Sequence, residues 1–213
     1  MSSPRQVRPS RSKGRIPPVP DGPCVLVVKG SPRAGGISDA LADAFAAGAR
    51  EAGAACVTLA LREYEYSGCR ECRSCDSSGC CVQDDDFALI LKHLEAARAI
   101  AVATPVFFMG MPSHLKAMID RCQCVWARHW LLGSGKPPAT RAGYLLAVSA
   151  TDFGWQFDAV KLVRDAFFLV LGVRSEGEVL AGKVDAKGAA AKDAKLCERA
   201  RELGRRAGEK RPA

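Results

Sequence analysis

The sequence predicts a doubly wound α/β fold: five parallel strands in the order 2-1-3-4-5, with helices on both faces of the sheet. Three observations carry that expectation. Short, wholly apolar runs recur along the chain, as strands buried on both faces require. Stretches with helical periodicity alternate with them, and such alternation belongs to parallel sheets. With 213 residues, 48% of them hydrophobic, the chain is long enough to bury one substantial core.

The elements follow in order. Residues 24–28, Cys-Val-Leu-Val-Val, form the first strand. Residues 38–52 are alanine-rich and amphipathic, so a helix comes next, and residues 55–61 make the second strand. A cysteine-rich insert, residues 63–86, then interrupts the rhythm. Helix 87–98 leads into strand 99–104, helix 112–126 into strand 142–149, and helix 155–171 into strand 173–180. Residues 187–206 close the fold as a helix. The domain therefore spans residues 23–207. Residues 1–22 are rich in Pro, Ser and Arg, lack apolar periodicity, and read as a disordered basic tail. Residues 208–213 read as a second basic tail.

The formal net charge of +8 sits at the two ends. Residues 1–20 hold five basic side chains and no acid, and residues 183–213 hold ten basic and five acidic ones. What lies between carries 16 basic and 18 acidic groups, a slight negative excess. No recognition motif or aromatic interleaving accompanies the basic ends, so nucleic acid is not the expected partner. The longest apolar stretches, residues 99–111 and 166–173, are too short or too interrupted to span a bilayer. No apolar run follows the basic N-terminus as a secretory leader would need. The expected location is the cytoplasm, with no membrane attachment.

Open α/β sheets bind ligands outside the carboxyl ends of their strands, near the point where strand order reverses. The loops after strands one, three and four are therefore the candidate site. The first, Gly-Ser-Pro-Arg-Ala-Gly-Gly-Ile-Ser over residues 30–38, runs straight from strand to helix. Its small residues, Gly36 among them, let backbone N–H groups converge at a helix N-terminus. Ser31 and Ser38 add hydroxyls and Arg33 a cation, a set suited to a phosphate monoester. The loop lacks the Lys-Ser/Thr ending of a nucleoside-triphosphate loop and the Gly-x-Gly-x-x-Gly spacing of dinucleotide sites. The second loop, residues 104–113, holds Pro105, Val106, Phe107, Phe108 and Gly110, against which a planar heterocycle could lie. The third, residues 149–154, is small and polar; Ser149, Thr151 and Gly154 would close over the other edge of that ring. A plain helix cap for the first loop and core packing for the aromatic pair are the competing explanations.

Ten cysteines are many for a chain of this size, and five of them fall within residues 69–81. Cys69, Cys72 and Cys75 stand at x2 spacing, followed by the pair Cys80 and Cys81. Three thiolates from one short loop around a single point are what a cubane [4Fe–4S] cluster needs, with Cys80 or Cys81 as fourth ligand. Arg70 and Arg73 would offset the charge of a thiolate-bound cluster. Zinc favours two separated pairs, which this is not. A redox dithiol such as Cys72 with Cys75, or a loop that binds nothing, fits the same spacing. Cys24 and Cys56 lie in strand patterns and read as core residues.

At these residues the sequence resembles a known family, the flavodoxin-like NAD(P)H-dependent FMN reductases, and within it the iron–sulfur flavoproteins. The resemblance is carried by Gly30-Ser-Pro-Arg33 with Gly36 and Ser38, by the loop from Thr104 to Gly110, by Leu115-Lys-Ala-Met-Ile-Asp-Arg121, and by Cys81-Val-Gln-Asp-Asp85. It covers residues 24–180. It implies that the first loop holds the phosphate of FMN and the second lies along the isoalloxazine. It also favours Cys81 over Cys80 as fourth ligand, so that Cys69, Cys72, Cys75 and Cys81 would hold a [4Fe–4S] cluster. One departure is Ile37, where the family often carries a polar residue, commonly Asn; that removes one phosphate or ribityl contact. The implied activity is that of an FMN-dependent oxidoreductase passing electrons between cluster and flavin, with no catalytic acid or base among its side chains. NAD(P)H or a ferredoxin would be the donor, and a small molecule or a protein the acceptor. A homodimer or homotetramer is expected, with the apolar residues 126–132 at a subunit contact. A cluster-free NAD(P)H-dependent FMN or quinone reductase, and a flavodoxin-like carrier without turnover, are the alternatives.

Overall fold

The strand pattern explains itself through what each face of the sheet must admit. In the computed structural model, which describes residues 17–133, 135–184 and 194–209, the strands are β1 (Cys24–Lys29), β2 (Ala55–Ala60), β3 (Ala97–Pro105), β4 (Arg141–Val148) and β5 (Val173–Ala181). Every pairing is parallel and the order is β2-β1-β3-β4-β5, the flavodoxin-like arrangement. Along β1, Val25 and Val27 enter one apolar layer while Cys24, Leu26 and Val28 enter the other. On β3 the first layer receives only Ala99, Ala101 and Ala103, and the second receives Ile100 and Val102. Each fully buried Leu or Ile among them contributes about 2 kcal/mol of transfer free energy.

The alanine-lined face admits two helices at close range, α1 (Ile37–Glu51) and the terminal α7 (Ala194–Glu209). They cross backbone to backbone: a Cβ on Gly48 would collide with the carbonyl oxygen of Arg201, and one on Gly204 with that of Phe45. The other face carries α3 (Phe87–Ala96), α4 (Ser113–Arg121), α5 (Gln123–Trp130) and α6 (Asp158–Leu171), whose Ile90, Leu115, Val125 and Phe168 fill its layer. Between β2 and α3 the cysteine insert forms one short helix, α2 (Cys75–Ser78), and little else that is regular.

Most boundaries shift by one to three residues from those the sequence suggests, and three of the shifts have a clear local form. The helix expected over residues 112–126 is two helices meeting at Cys122, and it runs on to Trp130. The Cys122 N–H bonds the Ile119 oxygen at 2.9 Å, a tightened turn that ends α4 before α5 begins. The helix expected from residue 155 starts at Asp158, because Gly154 holds a left-handed φ of 81°. Strand β3 begins two residues earlier than expected, at Ala97. Residues 1–16 and 210–213 of the expected tails, and residues 187–193 of the last helix, lie outside the described residues. The end of the N-terminal segment is tied down, since the Pro17 oxygen bonds His93 Nε2 at 2.9 Å. No helix among the described residues is long and apolar enough to cross a membrane.

Candidate functional site

The chain leaves β1 through Gly30, where any side chain would crowd Leu115 and the β3 backbone. An added Cβ would stand 2.6 Å from Leu115 Cδ2 and 3.2 Å from the Ala103 oxygen. The Gly30 N–H bonds that same oxygen at 2.8 Å, fixing the loop against β3. Ser31 is buried and its hydroxyl turns back on the loop, donating to the Arg33 oxygen at 3.0 Å and accepting from the Arg33 N–H at 3.2 Å. Its proton is therefore used locally, where the sequence suggested a free donor. Asp39, buried in the first turn of α1, accepts the Gly35 N–H at 3.1 Å and pairs with Arg62 at 3.0 Å. Arg62 also reaches the Ser31 oxygen. Gly36 is the N-cap of α1, and no side chain caps the helix. Arg33 lies over it: a Cβ on Gly36 would be 3.3 Å from Arg33 Nη2. Open amides, the positive end of a 15-residue helix and a guanidinium thus converge at one point, as an anion requires.

The loop after β3 is a two-residue turn. Phe107 and Gly110 exchange both backbone hydrogen bonds at 2.9 Å, and Phe108 and Met109 between them hold φ values of 47° and 63°. The Phe107 and Gly110 amides are thereby consumed, and the Val106 amide bonds the Val148 oxygen at 2.8 Å. The amides at the apex, those of Phe108 and Met109, face no backbone acceptor among the described residues. Phe108 is fully exposed there. In the loop after β4, the Ser149 hydroxyl holds Thr151 through its amide at 3.2 Å and its hydroxyl at 3.1 Å. Phe153 donates its amide to Gln156 Oε1 at 2.8 Å, and its ring stacks on Trp155 with both exposed.

The three loops enclose one cleft of about 220 Å³. Of the residues singled out in the sequence, Ser31, Arg33, Gly36, Ser38, Pro105, Val106, Phe107 and Ser149 form its wall, together with Ile37, Val148 and Ala150. Phe108, Gly110, Thr151 and Gly154 stand outside it: Phe108 at the apex of its turn, Gly110 paired behind Phe107, Thr151 tied to Ser149, and Gly154 at the bend before α6. Ile37, the residue without a polar side chain, belongs to the apolar layer beneath α1 as well as to the cleft.

The cysteine insert is closed at its neck. Glu65 donates its amide to Asp86 Oδ2 at 2.8 Å, Asp86 returns its own to the Glu65 oxygen at 3.1 Å, and Ser67 donates to Asp85 Oδ2 at 3.2 Å. Beyond the neck, Glu71 and Arg73 adopt left-handed φ values of 49° and 58°, a conformation costing about 1 kcal/mol for a residue with a Cβ. Cys69, Cys72, Cys75 and Cys81 all line one cavity of about 640 Å³, with Arg70, Arg73, Arg121 and a fifth cysteine, Cys124, in the same wall. Cys80 does not line it and is exposed. Among the described residues no three His, Cys, Asp or Glu side chains converge as a single metal ion needs.

The thiols differ in character. The Ser74 amide, and then its hydroxyl, lower the pKa of Cys72, while burial and then Asp76 raise that of Cys75. Burial pushes Cys124 up to about 11. Arg121 is buried, which disfavours its charge, but its hydrogen bonds and ion pair with Asp85 carry its pKa above the ordinary arginine range. Arg121, Asp85, Asp39 and Arg62 received no role from the sequence. Each acts across 20 or more residues, and no local spacing marks such pairs. Trp126 and Trp130 stack on α5, and His114 is held between Tyr66 and the Leu61 oxygen, away from the cleft wall.

The family described as NADPH-dependent FMN reductase matches residues 23–186. The chain is similar to the iron–sulfur flavoprotein of Methanosarcina thermophila, with 29% identity over 138 residues, 65% of this chain and 69% of that one. Among solved structures it resembles an azoreductase from Bacillus anthracis str. Sterne, with a TM-score of 0.67 and 18% identity, covering 86% of this chain and 99% of the other. A flavodoxin from the domain Archaea superposes with a TM-score of 0.51 and 15% identity over 87% of this chain and 96% of its own. At such identities the two structures speak to the fold.

Proposed function

Since the chain belongs to the NADPH-dependent FMN reductase family and is a flavin-dependent oxidoreductase, we propose that it is an iron–sulfur flavoprotein that passes electrons between FMN and a [4Fe–4S] cluster. The observation that carries this is a pair of cavities: one at the carboxyl edge of the sheet beside a helix N-terminus suited to an anion, the other lined by cysteines of the insert. Their donor sets fit the two groups. Arg33, the open amides of α1 and Ser38 would hold the FMN phosphate, and Pro105, Val106, Phe107 and Ser149 would border the rest. Cys69, Cys72, Cys75 and Cys81 would hold the cluster, with Arg70 and Arg73 offsetting its charge. FMN supplies hydride acceptance and electron release, and the cluster supplies one-electron exchange. The chain's own part is to bind and orient; no side chain near the cleft is needed as acid or base.

The cleft of about 220 Å³ is smaller than the roughly 300 Å³ at which drug-sized ligand sites begin. Part of a bound flavin would therefore reach past its walls, toward exposed Phe107 and Phe108 and the Phe153–Trp155 stack. Such an apolar rim, with the Trp126–Trp130 stack, supports a homodimer or homotetramer. α4 links the two sites: it starts three residues after the Phe107–Gly110 turn and ends with Asp120 and Arg121 in the cysteine cavity, about 14 Å away by helical rise. NAD(P)H is the donor the family points to, and a ferredoxin is the donor that suits one-electron exchange. Phe108, Gly110, Thr151 and Gly154 would act as loop supports or ring contacts. We place the protein in the cytoplasm, where thiols stay reduced.

A second reading, a cluster-free NAD(P)H-dependent FMN or quinone reductase, draws on the lack of a converged metal-binding group among the described residues. Anaerobic purification followed by a visible spectrum and FMN, iron and sulfide analysis separates the two. Flavin absorption over a broad background, with about four irons per chain, is expected. Flavin without iron after reconstitution would leave the second reading standing. No flavin after added FMN would remove both.

A further inference from the structure

Arg121 is the largest fully buried side chain among the described residues, and nothing in flavin or cluster ligation uses it. A guanidinium without water is expensive unless its donors are satisfied, and it has five. Nη1 donates to Asp85 Oδ2 at 2.7 Å and to the Ser67 oxygen at 2.9 Å. Nη2 donates to Asp85 Oδ1 at 3.1 Å and, more weakly, to the Gln83 oxygen at 3.5 Å. The plane lies 4.5 Å from the Phe87 ring centroid. Ser67 precedes the first cysteine of the loop, and Gln83 and Asp85 follow the last. One side chain from the end of α4 therefore grips both ends of the segment that carries every cysteine of the cavity's proposed ligand set.

The fifth donor is left over. Arg121 Nε is buried and has no acceptor. A buried donor without an acceptor is unfavourable, the more so when it is charged, so an acceptor that strengthens beside it would be rewarded. Arg121 and Cys81 share the wall of the cavity, and the Cys81 sulfur already lies close enough to act on the guanidinium both by charge and as a side-chain hydrogen-bond partner. A thiol is a weak acceptor; a thiolate bound to iron is a strong one.

We propose that Arg121 is the positioning residue of the cysteine loop, its Nη groups clamping the loop's two ends and its Nε–H held for the sulfur of Cys81 when that cysteine is a cluster ligand. The second half rests on the cluster proposed above. Hydrogen bonds to cluster sulfur draw charge from it and ease its reduction. Because α4 also follows the flavin turn, the same clamp fixes the loop relative to the cleft.

The test compares wild type with R121M, which loses both charge and fork, and R121K, which keeps a charge but has no Nε. Each full-length protein is first prepared without iron and exposed to trypsin, with cleavage followed at Arg70 and Arg73. Both variants should be cut at least tenfold faster than wild type. Each is then reconstituted anaerobically with ferrous iron and sulfide, and iron content and cluster midpoint potential are measured. Both variants should be harder to reduce by about tenfold in equilibrium constant, about 59 mV for one electron. Retained FMN binding reports an intact fold, and R121K decides alone if R121M does not fold. Unchanged cleavage overturns the clamp. A wild-type potential in R121K overturns the Nε donor, because charge alone would then suffice. Wild type that takes up no iron overturns the cluster reading and the Cys81 half with it, while the cleavage rates still decide the clamp.

Discussion

His93 illustrates how little a residue's neighbours in sequence reveal of its partners. It sits on α3 with no evident partner nearby, yet it is buried and its Nε2 donates to the Pro17 oxygen, 76 residues away in the chain. Nδ1 is buried without a partner. Burial lowers the His93 pKa, with the Pro17 bond opposing it. The sign of the stability effect follows. Above the ordinary histidine pKa of about 6.5 both states are neutral and His93 contributes no pH dependence. Below it the unfolded chain binds a proton that the folded chain resists, so stability falls as pH drops. Urea midpoints measured from about pH 7.5 down to about pH 5.5 should decline more steeply in wild type than in H93Q. Equal slopes would show that the ring titrates freely. Ser31 is the second case at this scale: serine in a phosphate-type loop signals a donor, but the hydroxyl closes its own turn instead.

At the scale of elements, the strand–helix alternation was legible because periods of two and 3.6 residues are local properties. The break between α4 and α5 was not, since both halves keep helical spacing across the turn at Cys122. The α1–α7 crossing was equally invisible. Gly48 and Gly204 let two backbones touch, and nothing in their local sequence marks that contact. Overpacking there has no flexible side chain to absorb it. G204A should lower stability by about 3 kcal/mol, a drop in Tm of about 6–12 °C for a chain of this size. FMN stoichiometry should stay unchanged, because the crossing lies on the face beneath α1 and outside the cleft wall. A Tm within about a degree of wild type would mean that the helices can part without cost.

For the molecule as a whole, binding at the sheet's carboxyl edge couples to global stability by mass action. FMN at about 100 times its Kd should stabilise the fold by about 2.7 kcal/mol, a rise in Tm of about 5–11 °C. In R33A the same FMN concentration should give less than half that rise, since a charge-assisted contact is worth about 1.5–3 kcal/mol. An equal rise in R33A would place the phosphate away from the Arg33–Gly36 corner.

The sequence alone determined the α/β class, the strand order, the family and the two segments worth examining, the residue 30–38 loop and the cysteine run. Those are set by apolar periodicity and by residue spacing within one loop, which short windows contain. Only the tertiary structure decided which members of each segment meet. It brought Ser31, Arg33, Gly36, Ser38, Pro105, Val106, Phe107 and Ser149 to one cleft and left Phe108 and Thr151 outside. It set Cys81 in the cavity wall and Cys80 outside it. It paired Asp39 with Arg62 and Asp85 with Arg121. Buried charges must find partners wherever the fold supplies them, and that search runs across the chain rather than along it.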